Sequence, residues 1–142
     1  PIILMHNRHH KDYNSLIDDM IKDLEESIHI AKQAGCQDEQ IILDPGIGFA
    51  KTPEQNYEVM RQLERFTETF PYPLLLGTSR KSFITQVLEV EPEKRDNATG
   101  ATTCLGITKG VSIVRVHDVK RNVELCKMMD AMVKGLNKDG SN

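Results

Sequence analysis

The sequence predicts an α/β fold with a parallel sheet, arranged as half of a TIM (β/α)8 barrel. Three observations carry this. Short apolar runs alternate with helical patterns in the order β-α-β-α-β-α-α-β-α, which implies right-handed crossovers between parallel strands. Each apolar run ends in polar residues: His6-Asn7-Arg8, Asp44, Ser79-Arg80-Lys81, and Arg115 with His117-Asp118. An open doubly wound sheet gathers function at one switch point, whereas in a barrel every βα loop reaches the centre. Finally, 142 residues hold four such units, while a whole barrel takes eight units and typically ~250 residues.

The elements follow in order. Ile2 to Met5 is a first strand. Asn14 and Ser15 open a helix whose apolar positions Ile17, Met20 or Ile21, Leu24, Ile28 and Ala31 make one stripe, and Gly35 ends it. Ser15 to Asp18 matches a capping pattern. Ile41 to Asp44 is a buried strand. Thr52-Pro53-Glu54-Gln55 reads as a capping box with Pro at the first helical position, so a helix is expected from Pro53 to about Phe70, where Pro71-Tyr72-Pro73 breaks it. Leu74 to Gly77 is a central strand, and Thr78 to Ile84 is a polar turn feeding a short helix that reaches about Leu88. After a charged loop, Gly100, Ala101 and Gly106 mark a helix from about Ala98 to Lys109 that packs very close to a neighbour. Val111 to Val116 is the fourth strand. The last helix runs from about Val119 to Leu136, with Val119, Val123, Cys126, Met129 and Val133 at helical spacing, before a polar tail expected to fray.

The stretch from Ile42 to Thr52 organises the rest. Asp44 falls at the carboxyl end of a strand, Pro45 stops that strand, and Gly46 and Gly48 permit backbone shapes closed to other residues. This holds Asp44 and Phe49 at one mouth of the sheet; alternatively, Asp44 caps the following turn. Lys81 and Arg80 are either site residues or a solvated basic face. His6, His9 and His10 fit no common zinc spacing and read as surface histidines. Gly46 to Thr52 lacks the spacing of a phosphate loop. The net charge of −3 gives no reason to expect nucleic acid or a membrane surface as partner. No apolar run approaches the ~20 residues of a membrane span, and no targeting leader is expected. Three widely spaced cysteines read as reduced thiols, which points to the cytoplasm.

Three motifs then carry a resemblance. Asp44-Pro45-Gly46-Ile47-Gly48-Phe49-Ala50-Lys51, Gly77-Thr78-Ser79-Arg80-Lys81-Ser82-Phe83 and Arg115-Val116-His117-Asp118-Val119 together resemble bacterial dihydropteroate synthases, and Leu4-Met5-His6-Asn7 is similar to that family's fifth strand. The resemblance covers essentially all of residues 1–142 as one domain, supplying strands five to eight of the barrel. It implies that p-aminobenzoate displaces pyrophosphate from 6-hydroxymethyl-7,8-dihydropterin diphosphate, giving 7,8-dihydropteroate.

Carried over residue by residue, the resemblance implies that Asp44 binds the pterin ring NH and amino groups. Lys81 contacts the pterin carbonyl, Phe49 packs near the aminobenzoate ring, and Gly77 lines the substrate pocket. Ser82 takes the aminobenzoate carboxylate, Arg115 stacks on the pterin, and Arg115 with His117 binds the diphosphate. Lys81, Arg115 and His117 are the expected catalytic residues. Mg2+ is the expected cofactor, with its ligand in the half of the family's barrel that this chain does not supply, so no metal ligand is expected here. A homodimer through the C-terminal helices is also implied. The far wall of the pterin pocket comes from that other half too, so the chain alone is expected to be inactive. A pterin-binding methyltransferase-type barrel and a non-catalytic half-barrel that dimerises or complements a partner are the alternatives.

Overall fold

In a computed structural model, residues 1–136 are described. Four parallel strands alternate with five helices: β1 Ile2–Met5, α1 Leu16–Gln33, β2 Ile41–Asp44, α2 Pro53–Arg61, α3 Glu64–Thr69, β3 Leu75–Leu76, α4 Asp96–Thr108, β4 Ile113–Val114 and α5 Val119–Lys134. β1 pairs with β2 from Ile2 opposite Ile41 to Met5 opposite Asp44, and β3 pairs with β4 through Leu75–Ile113 and Leu76–Val114. A parallel bridge between Leu43 and Leu74 joins the two pairs, so the strands lie in chain order. The polar tail expected to fray lies outside the described residues.

The strand period of two sorts the side chains. Ile41, Leu43, Leu74 and Leu76 point to the helical layer and are buried with Met20, Leu24, Val59, Leu63 and Phe66. The alternate positions form the other face, which is open in part although Leu75 on it is buried. There Ile3 is 48% exposed and Ile113 37% exposed, while Asp44, the last residue of β2, and Gly77 and Arg115, just beyond β3 and β4, continue the same face.

The small residues of α4 mark close approaches. A Cβ on Gly106 would come within 3.0 Å of Leu76 in the sheet, and one on Gly100 within 2.8 Å of Leu125 in α5. The capping box at Thr52 forms: its Oγ1 accepts from the Gln55 N–H at 3.2 Å, and the Gln55 side chain accepts from the Thr52 N–H at 2.8 Å.

Several expectations are corrected. Ser15 is the N-cap of α1, but its hydroxyl donates to Asp18 instead of accepting from the backbone. The single helix expected from Pro53 to Phe70 is two helices. At the joint, Arg65 and Phe66 donate three residues back, to Gln62 and Leu63, which keeps Met60, Leu63 and Phe66 all buried. The short helix after Lys81 is a 3₁₀ turn, Ser82–Gln86, and the ladder of the fourth strand is only two residues long. His6 is not a surface histidine; it is 2% exposed, whereas His9 and His10 are exposed. In α5 only Asn122 is buried, and Val119, Val123 and Val133 stand exposed. Val119 and Val123 line a cavity of about 420 Å³ between α5 and the end of β4. No described helix is long and apolar enough to cross a membrane.

Candidate active site

The site is assembled at the carboxyl ends of β2, β3 and β4. Asp44 ends β2 and is 2% exposed. Its Oδ1 accepts the Gly46 N–H at 2.8 Å, so the turn-capping role is real. Its Oδ2 is left for another donor. Burial raises the Asp44 pKa, opposed by the Gly46 N–H and by the charges of Arg115, Lys81 and Lys51. A buried carboxylate near three cations has the chemistry to accept from N–H groups.

The turn after Asp44 depends on Gly46. Its φ is +72°, and a Cβ there would collide with the carbonyl oxygen of His6. Gly48, at φ +87°, lets the aliphatic stem of Lys81 pass 3.4 Å from where its Cβ would be. Asn56, buried in α2, accepts the Gly48 N–H at 2.8 Å. Phe49 is 40% exposed, with its ring 5.0 Å from the Lys81 ammonium. Lys81 donates to the carbonyl of Ile47. Burial lowers its pKa; Asp44 raises it and Arg115 lowers it further. Asp44, Phe49 and Lys81 thus form one cluster.

The loop holding Lys81 is braced by the residue before it. Arg80 adopts φ +58°, a left-handed conformation that is uncommon outside glycine. Its guanidinium makes two 3.0 Å bonds to Asp96 at the start of α4. Its N–H donates to Thr99 at 3.1 Å, and its carbonyl accepts from Arg95 at 2.8 Å. Arg80 is therefore a brace for the loop, not part of a solvated basic face.

Gly77 leaves room for Arg115, whose Nη2 lies 2.6 Å from where a Cβ would sit. The ring of His117 is held by Ser79, with Oγ 2.6 Å from Nδ1. Gly77, Ser79, Lys81, Arg115, Val116 and His117 line a cavity of about 250 Å³. Ser82 stands apart; it is exposed at the first position of its 3₁₀ turn and does not line that cavity.

Ser79, Asn56, Lys51 and His6 escaped the sequence reading of the site. Ser79 stood inside a quoted motif, but nothing local marked its partner 38 residues away. Asn56 looks like any polar helical residue until burial singles it out.

A sheet whose βα loops bring together a carboxylate, a lysine, an arginine and a histidine has the chemistry of a small-molecule-binding α/β protein. The family model described as "Pterin binding enzyme" matches residues 1–117, and the chain belongs to that family. It is 58% identical over 140 residues to a dihydropteroate synthase of Bacillus subtilis, covering 99% of this chain and 48% of the relative. It is 53% identical to that of Clostridium beijerinckii, covering 94% of this chain and 50% of the relative. The chain spans about half the length of the curated relatives it matches.

Among solved structures, it superposes on dihydropteroate synthase from Clostridium difficile, determined in the presence of pteroic acid. The TM-score is 0.89 and the identity 47%, over 92% of this chain and 49% of that one. It also superposes on the Yersinia pestis enzyme in complex with a sulfonamide drug. There the TM-score is 0.90 and the identity 33%, over 94% of this chain and 51% of that one.

Proposed function

We propose that this chain is the second half of a dihydropteroate synthase, supplying strands five to eight of a TIM barrel with part of the pterin and diphosphate sites. The observation that carries the reading is the convergence of Asp44, Gly77, Lys81, Arg115 and His117 at the ends of three adjacent parallel strands.

In this reading Asp44 accepts from the ring NH and amino groups of the pterin through its free oxygen. Lys81 donates to the pterin carbonyl and borders the aminobenzoate. Phe49 packs against the aminobenzoate ring, and Ser82 takes its carboxylate. Arg115, whose guanidinium packs against Gly77, stacks on the pterin, and with His117 it faces the diphosphate. The amine nitrogen of p-aminobenzoate attacks the pterin methylene. As the new C–N bond forms, the C–O bond to the diphosphate breaks and pyrophosphate leaves with the electron pair; the nitrogen then loses a proton. Arg115 and His117 stabilise the charge that grows on the leaving oxygen. No protein nucleophile is needed.

Magnesium would supply further charge neutralisation for the pyrophosphate. The residues here do not fit it, because no group of three or more His, Cys, Asp or Glu side chains converges among the described residues. In this reading the metal's ligand lies in the other half of the barrel. A cytoplasmic location and a homodimer through α4 and α5 complete the proposal; the free cysteines and the exposed Met128 and Met132 of α5 support them.

The test is direct. The chain alone should bind pteroic acid weakly and show no turnover, and adding the first half of the Bacillus subtilis relative should restore synthesis of 7,8-dihydropteroate. Failure to bind pteroic acid, together with silence of the mixture, would overturn the proposal.

A further inference from the structure

We propose that Lys51 is a positioning residue: a buried pin that fixes the loop 45–50, and with it Asp44 and Phe49, at the mouth of the site. Only the loop's purpose rests on the pterin-binding reading; the tethering is a property of the chain itself.

Lys51 is 4% exposed. Its ammonium has three protons and three acceptors: the carbonyl of Gly46 at 3.1 Å, the carbonyl of Phe49 at 2.9 Å, and Nδ1 of His6 at 3.1 Å. With Nδ1 accepting, the His6 proton sits on Nε2, which donates to Asp23 at 2.8 Å. Arg8 closes the chain with bonds of 2.6 and 3.2 Å to the same carboxylate. Arg8 also lies 4.6 Å over the ring of Tyr13, whose hydroxyl donates to the carbonyl of Ala50 at 2.9 Å. Three loop carbonyls are thus tied back to the end of β1 and the loop and helix that follow it.

An apolar side chain of similar volume would fill this space without the cost of burying a charge. Burial lowers the Lys51 pKa to about 8; Asp44 and Asp23 favour the charged form and Lys81 opposes it. The three acceptors around its nitrogen match the three protons of an ammonium. Neither Lys51 nor His6 lines the 250 Å³ cavity, so Lys51 acts through the loop. Ala50, at φ +53°, is strained for a residue with a Cβ, and such strain persists only where the surroundings impose it.

The four phenylalanines of the 142-residue chain, Phe49, Phe66, Phe70 and Phe83, allow a local readout by fluorine labelling. In Lys51→Met, the fluorine signal of Phe49 should move while those of buried Phe66 and Phe83 stay. Exchange of the Phe49 amide should speed up by about tenfold or more, and pteroic acid should bind about tenfold more weakly. A folded variant with the Phe49 signal and amide exchange unchanged would overturn the proposal. If Lys51→Met does not fold, the wild type decides: a Lys51 ammonium signal protected from solvent exchange supports the pin, and an unprotected one removes it. Wild type that binds no pteroic acid would sink the pterin reading and leave the loop result standing.

Discussion

Ser79 touches His117 twice: its Oγ lies 2.6 Å from the ring Nδ1 and accepts the His117 backbone N–H at 3.0 Å. One hydroxyl thereby sets both the backbone position and the ring orientation of a residue on the next strand's loop. In the proposed function the ring's Nε2 is the atom that meets the anion. In Ser79→Ala the ring loses its anchor, and pyrophosphate affinity should fall by about 0.5–1.5 kcal/mol, the worth of one hydrogen bond. Calorimetric titration with pyrophosphate checks this; unchanged affinity would mean that His117 does not contact the anion.

Two glycines should respond in opposite ways to alanine. At Gly77 the obstacle is the tip of the Arg115 side chain, which is exposed and can move. Gly77→Ala should cost less than about 1 kcal/mol of stability, yet weaken pyrophosphate binding by displacing the guanidinium. At Gly46 the obstacle is backbone, the His6 carbonyl, and φ is already +72°. Gly46→Ala should cost about 3 kcal/mol or more. Urea unfolding of both variants separates the two cases.

Stability should depend on pH through His6. Burial and the nearby Lys51 charge lower its pKa from 6.5 to about 4, partly offset by Asp23. Between those values the unfolded chain binds the proton more readily, so stability is present in full above pH 6.5 and is lost as pH falls through 4. The loss is on the order of 3 kcal/mol. Lys51, lowered from 10.5 to about 8, has the same sign in a higher window: stability should rise as pH goes from 8 to 10.5. Denaturant midpoints measured across both windows check this. A flat acid limb, once other groups are controlled for with His6→Gln, would contradict the first part.

Asp44 should trade stability against binding. Because burial raises its pKa, the folded state disfavours the carboxylate. Asp44→Asn should leave stability unchanged or higher. It also replaces an acceptor-only group with one that presents donors, and pterin affinity should fall by about 2–3 kcal/mol. Equal pteroic acid affinity of the two proteins would remove Asp44 from the site.

Much of the site was legible because the chemistry sits in contiguous motifs. Asp44 to Lys51 spells out a strand end, a turn and an aromatic in order, and the Thr52 capping box is local enough to be read directly. The alternation of period-two and period-3.6 patterns determined the parallel α/β layout. The joint between α2 and α3 was not legible, since neither Pro nor Gly marks it and the packing of Met60, Leu63 and Phe66 decides it.

The sequence by itself determined the order of elements, the glycines that the turns require and the residue types that reach the site. Each of these is set within a few residues of chain. Tertiary structure alone decided that His6 and Lys51 are buried partners, that Arg80 braces a loop while Lys81 faces the cluster, and that Ser79 holds His117. Those relationships join residues 16 to 45 positions apart. Whether a polar side chain is solvated or becomes part of a buried network depends on what the fold brings against it.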